Sequence, residues 1–173
     1  MGRFYKSKYK PRNPEKYGNP KGLDKIICRS SWERAVCVFL DKDPSVVKWM
    51  SEEIVVNYIS KVDGRPHRYF IDFYVRFKNG KQLLIEVKPH AQTLKPKTKG
   101  TTKKQKERFL YEAKTYATNI SKWEYAKAYA QSKGMTFVIW TEKELEKLGI
   151  NINPSRRYRA VKYGKAKKRK KTT

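Results

Sequence analysis

Asp72, Glu86 and Lys88 are the residues whose types and spacing could do chemistry together. They lie in a stretch that reads Arg68-Tyr69-Phe70-Ile71-Asp72-Phe73-Tyr74-Val75-Arg76-Phe77, then Lys78-Asn79-Gly80-Lys81, then Gln82-Leu83-Leu84-Ile85-Glu86-Val87-Lys88. Two aromatic and β-branched runs around Asn79-Gly80 predict a hairpin, and its register decides whether the acids meet. A two-residue turn at Asn79-Gly80 sets Asp72 opposite Val87 and sends the carboxylates to opposite faces of the sheet. A three-residue loop, Lys78-Asn79-Gly80 with Gly80 left-handed, pairs Phe77 with Lys81 and sets Asp72 directly opposite Glu86. The second register is favoured, because Gly suits the last position of a type I turn plus bulge and Asn79 fits just before it.

Directly opposed residues have Cβ atoms about 5 Å apart, and like charges there repel, so such a pair needs a cation. One or two carboxylates plus retained waters are what Mg2+ accepts. Lys88 lies on the face of Glu86, two residues on, as an adjacent fixed cation. The plainer reading makes both acids solvated residues of an exposed sheet face, with Lys88 as a salt-bridge partner. Phe70, Tyr74 and Leu84 are expected on that same face, and an apolar face makes unpaired acids hard to accommodate.

The elements that must position these residues follow from periodicity. A helix is predicted from about Ser31 to Asp41, with Trp32, Ala35, Val36, Phe39 and Leu40 as its buried stripe and Asp43-Pro44 as its end. Glu33 lies beside that stripe and could be the far end of a Ser30-x-x-Glu33 capping box. Glu53 to Ser60 reads as the first strand, and Asp63-Gly64 turns the chain into the hairpin. A helical pattern from about Lys104 to Lys133, with Phe109, Leu110, Ala113, Tyr116 and Ala117 on one stripe, is expected to restart at Ser121-x-x-Glu124. Thr136 to Trp140 reads as a strand and Thr141-x-x-Glu144 opens a short last helix. The helical crossover implies parallel pairing at that point in a mixed sheet.

The 173 residues suit one domain at 26–150 between basic ends, an aromatic arm at 1–25 and a tail at 151–173. The net charge of +26, from 42 Lys and Arg against 16 Asp and Glu, points to a polyanion and first to nucleic acid. Tyr5, Tyr9 and Tyr17 among the lysines and prolines of the leader suggest an arm that orders on a partner. Lys95, Lys97, Lys99, Lys103 and Lys104 leave the end of the acid-bearing strand in a loop placed to grip phosphates. The tail carries Arg156, Arg157, Arg159, Lys168 and Arg169 among its ten basic residues, and no acid. Cys28 and Cys37 lack metal-ligand spacing and are expected to be reduced thiols of an intracellular protein. No apolar run approaches the roughly 18 residues that span a membrane, so no membrane association is expected.

An α-β-β-β-α-β order with Glu on the first helix, Asp on the second strand and Glu-x-Lys on the third resembles the PD-(D/E)xK nuclease superfamily. The resemblance sharpens in Ser31-Trp32-Glu33-Arg34, in Arg68 to Tyr74, in Ile85-Glu86-Val87-Lys88-Pro89 and in Lys122-Trp123-Glu124-Tyr125-Ala126-Lys127 ahead of Gly134-Met135-Thr136-Phe137. In that order these blocks, with the leader Tyr9 to Tyr17, are similar to TnsA-type transposon end nucleases and to the head completion nucleases of T4-like tailed phages. Ile71 stands where many relatives have Pro before the Asp.

The resemblance implies a restriction-endonuclease-like α/β fold with a mixed central sheet. It implies a metal site of Glu33, Asp72 and Glu86 holding Mg2+, with Mn2+ as a substitute, and Lys88 as the catalytic lysine. It implies DNA as a largely sequence-independent partner, phage head or neck proteins as further partners, and no small-molecule cofactor. The corresponding place is the cytoplasm of the infected host, with incorporation in the virion as a further expectation. His67 and His90 flank the site without an assigned ligation. Three rivals stand beside the endonuclease reading: a non-catalytic DNA-binding head completion protein on a nuclease fold, an RNA-binding protein of ribosomal type, and a structural head component with secondary nuclease activity.

Overall fold

The computed structural model describes residues 6–97 and 100–152. A four-stranded sheet, in the order β3 (Val46–Ser51), β6 (Phe73–Phe77), β7 (Gln82–Val87), β8 (Thr136–Trp140), forms its centre. The first two pairings are antiparallel and β7–β8 is parallel, joined by the crossover helix α2 (Lys103–Ser132). Helix α1 (Ser31–Lys42) precedes the sheet and α3 (Glu142–Lys147) follows it. The core order is therefore α-β-β-β-α-β with mixed pairing, as expected.

Alternation along β7 divides the core into two halves. Leu83, Ile85 and Val87 face α1 in a cluster with Val36, Leu40, Trp49, Phe73 and Val75, whereas Leu84 faces α2 with Tyr69, Ile71, Ala126 and Ala130. A central strand buried on both faces reads as a continuous apolar run, and Glu86 is the one acid in it. The start of α1 is fixed by Ser30, whose side chain accepts the Glu33 N–H, and Asp43 closes the helix by donating its N–H to the Phe39 carbonyl.

Several expectations change here. The first core strand is Val46–Ser51 rather than Glu53–Ser60; a register shift between Val46 and Lys48 breaks its alternation and hides it from a period-of-two reading. The segment expected as that strand instead forms β4 (Val55–Ile59), which pairs only with β5 (Pro66–Phe70) in a separate two-stranded ribbon. The expected single strand through Arg68 and Phe77 is broken at Ile71-Asp72, where Ile71 donates its N–H to Ile54 and the Asp72 carbonyl accepts from Glu52. The break flips the side-chain parity, so Tyr69 and Ile71 join Tyr74 and Leu84 on the α2 side, and Phe70 is 43% exposed instead of sharing the face of Asp72.

Helix α2 runs unbroken through Ser121. That hydroxyl donates to the Ala117 carbonyl one turn back and accepts the Lys61 N–H, while Glu124 pairs with Lys61 at 2.6 Å, so no capping box forms there. The helix is capped at Thr102 with Gln105. In its first half the expected stripe is half-buried at Phe109, Ala113, Tyr116 and Ala117 and exposed at Leu110, and full burial begins at Asn119.

The leader also differs from an arm waiting for a partner, since residues 6–25 pack on the core. Strand β1 (Ser7–Lys8) pairs with β2 (Ile27–Cys28), and Tyr9 and Tyr17 are buried against Trp49. The fully buried Asp41 anchors them, accepting from the Tyr9 hydroxyl and from the N–H groups of Arg12 and Asn13. Cys28 and Cys37 are buried free thiols with Sγ atoms 3.6 Å apart. Among the described residues, no helix is long and apolar enough to cross a membrane.

Candidate active site

The hairpin loop sets the site. Gly80 has φ +81° and donates its N–H to the Phe77 carbonyl, and Phe77 donates to Lys81, closing the three-residue loop Lys78-Asn79-Gly80. The Asn79 side chain accepts the Lys81 N–H. The ladder runs Arg76↔Gln82, Val75↔Leu83, Tyr74↔Leu84, Phe73↔Ile85; continued one step past its end, that register sets Asp72 opposite Glu86, whose charge acts on it.

Around that pair every polar contact is short. The Tyr69 hydroxyl donates to Glu86 Oε2 at 2.6 Å, and Lys88 Nζ lies 2.9 Å from Glu86 Oε1. The Val87 N–H donates to Asp72 Oδ2 at 2.8 Å. Glu86 is only 4% exposed. Burial, and then the charge of Glu86, hold the Asp72 carboxyl well above the usual carboxylate range, against the Val87 N–H and Lys88. Burial alone would lower Lys88, but the Glu86, Asp72 and Glu33 charges outweigh it and keep the ammonium above its ordinary value. That direction favours the ammonium form of Lys88 beside Glu86.

Glu33 lies within electrostatic reach of this pair and is engaged at the helix start. Its carboxylate takes the Ser30 hydroxyl at 2.9 Å and the Arg29 N–H at 2.7 Å, so it closes the start of α1. Burial is the main cause that raises its pKa, with Glu52 adding to it, and its own charge reaches Asp72 and Lys88. Among the described residues, no three His, Cys, Asp or Glu side chains are grouped to hold a metal ion. The donor set of Asp72 and Glu86, two hard carboxylates with no hydrogen bond to Asp72 Oδ1 among the described residues, fits a hard divalent cation.

The other expected residues are spread around this centre. Lys95 and Lys97 are exposed on the segment that leaves β7, whereas Lys103 and Lys104, expected in that loop, are exposed in the first turn of α2. Lys99, Arg156, Arg157, Arg159, Lys168 and Arg169 lie outside the described residues. The His67 ring bonds Asp63 at 3.0 Å, and the His90 N–H donates to Glu142. Three residues at the site had no sequence signal that pointed to them: Tyr69, brought in by the parity flip, and Glu52 and Arg29, which form a pair at 2.7 Å beside Glu33.

Comparison with known proteins agrees with this architecture. Residues 43–142 match the family described as TnsA-like endonuclease N terminal. The chain is also 38% identical over 148 residues to the head completion nuclease of Enterobacteria phage T4, covering 84% of this chain and 97% of that relative. The matched segment spans the whole of β3 to β8, including the Asp72–Glu86 hairpin and the crossover helix. With its restriction-endonuclease-like α/β core, this chain belongs to the TnsA-like endonuclease family.

Proposed function

We propose that this chain is a divalent-cation-dependent endonuclease that hydrolyses DNA phosphodiesters during the completion of phage heads. The observation that carries the chemistry is the facing pair Asp72 and Glu86 with Lys88 Nζ 2.9 Å from Glu86. The biological setting rests on the name of the T4 relative, a head completion nuclease.

Asp72 and Glu86 would hold the cation, Mg2+ first and Mn2+ as a substitute. When bound, such an ion polarises a phosphoryl oxygen and makes a water more acidic. Glu86 is held in place by the Tyr69 hydroxyl and Asp72 by the Val87 N–H. Lys88, held as an ammonium, donates to a phosphate oxygen or to the attacking water. Glu33 is a third acid whose charge acts on Asp72 and Lys88 from the start of α1.

DNA is held by phosphate contacts from Lys95, Lys97, Lys99, Lys103 and Lys104 and from the basic tail after Pro154, with little sequence preference. The net charge of +26 supports a polyanionic substrate and does not distinguish DNA from RNA. Purified protein incubated with matched DNA and RNA duplexes in Mg2+ tests the reading. Cleavage of DNA that stops with chelator is expected, and cleavage of RNA alone would refute it.

A further inference from the structure

Two carboxylates in one pocket repel a phosphate backbone, so a nuclease built on them needs cations fixed at the rim of the pocket. Lys88 is one. Arg29 is positioned as a second, by three linked contacts. Its N–H donates to the Glu33 carboxylate at 2.7 Å. Its guanidinium grips Glu52 with two bonds, Nε to Oε1 at 2.7 Å and Nη2 to Oε2 at 3.1 Å. Glu52 in turn donates its N–H to the carbonyl of Asp72 at 3.2 Å. The Arg29 side chain is 57% exposed, and among the described residues Nη1 has no hydrogen-bond partner.

Glu52 reaches both neighbours from a conformation that a glutamate rarely adopts. Its φ is +55°, and it is the one non-glycine residue at positive φ among the described residues. Left-handed backbone at a non-glycine residue is unfavourable, and glycine would sit there more easily. A glutamate at this position trades backbone comfort for a carboxylate, and that carboxylate's partner is Arg29. A guanidinium already held by two bonds loses little freedom when it meets a phosphate, which is the benefit of a fixed fork.

We propose that Arg29 is a DNA-phosphate contact beside the Asp72–Glu86 pair and that Glu52 is the residue that positions it. The proposal rests on the nuclease reading of the same site. It adds a substrate contact that the acid pair and Lys88 do not supply.

The test uses the full chain with Arg29→Ala, Arg29→Lys and Glu52→Gly. Binding of a fluorescent DNA duplex is followed by anisotropy in chelator across a salt series, and cleavage is followed in Mg2+. Arg29→Ala is expected to weaken binding about tenfold, as for one lost charge-assisted hydrogen bond, and to lower the salt slope by about one. Arg29→Lys keeps the salt slope and still loses cleavage, because the fork is gone. Glu52→Gly is expected to keep or raise the melting temperature while cleaving about tenfold more slowly, a separation that a purely structural role cannot produce. Cleavage by Glu52→Gly at the wild-type rate, or an unchanged affinity and salt slope in Arg29→Ala, would overturn the proposal. Failure of the nuclease reading shows up separately, as a wild-type protein that binds the duplex and does not cut it.

Discussion

Two sites in this molecule bury carboxylates, and they do so in opposite ways. Asp41 is fully buried, and its carboxylate is surrounded by neutral donors, the Tyr9 hydroxyl and the N–H groups of Arg12 and Asn13. Asp72 is set beside Glu86, and the Lys88 ammonium lies 2.9 Å from Glu86. The first arrangement is complete and holds the leader onto the core. The second sets the Asp72 carboxyl against burial and the charge of Glu86, a penalty that a bound cation relieves. A buried acid is thus a fastener where its donors are neutral and saturating, and a candidate reactive centre where another acid is its neighbour.

The largest contrast is expected between Asp72→Asn and Asp41→Asn. Losing a charge from the acid pair should lower DNA cleavage by at least about a thousandfold, since the charge stabilisation at stake amounts to several kcal/mol of barrier. Asp41→Asn should leave cleavage per folded molecule unchanged and destabilise the fold by about 3 kcal/mol, because charge-assisted bonds from Tyr9, Arg12 and Asn13 are weakened or lost together. Denaturant melts alongside a plasmid-nicking assay measure both. Equal behaviour of the two variants would erase the distinction.

The hairpin and its register were legible because turn chemistry is local: Asn79-Gly80 sets the loop and the loop sets Asp72 across from Glu86. The helix starts at Ser30 and Thr141 were legible for the same reason. What stayed hidden depends on distant partners. The bulge in β3, the break at Ile71-Asp72 that delivers Tyr69 to Glu86, and the capture of the leader by Asp41 are satisfied only by residues far along the chain. The continuous α2 was misjudged because Ser121 looks like a cap locally, and it becomes an interior residue when Lys61 bonds it from the turn between β4 and β5.

Glu33→Gln shows where the acid site ends. The carboxylate closes the helix start, yet its charge reaches Asp72 and Lys88. The amide can still accept at the helix start, so the melting temperature should move little while cleavage falls about tenfold. Wild-type cleavage would confine Glu33 to capping.

The pH dependence of stability separates the two sites more gently. Asp72 is raised above its unfolded value, chiefly by burial, so the folded state binds more protons than the unfolded state between those two values. In chelator, stability should therefore fall as pH rises from about 4, the unfolded carboxylate value, through the higher folded value. Asp72→Asn should flatten that slope, and Mg2+ should restore stability at neutral pH in the wild type alone. A wild-type curve that rises through the same window would show that the acid pair carries no such penalty.

The smallest effect is expected from the basic periphery. Lys95→Ala with Lys97→Ala should weaken DNA binding and reduce its salt slope by about two, while cleavage at saturating protein survives. Loss of cleavage at saturation would move these lysines from holding the DNA to the chemistry.

The central claim is that the facing acids form the cation-dependent cleaving centre. It is tested most directly by supercoiled plasmid incubated with wild-type and Glu86→Gln protein, each with Mg2+ and with excess chelator. The account predicts nicking or linearisation only by the wild type and only with Mg2+. Cleavage that persists in chelator, or a folded Glu86→Gln protein that cuts at the wild-type rate, would contradict it.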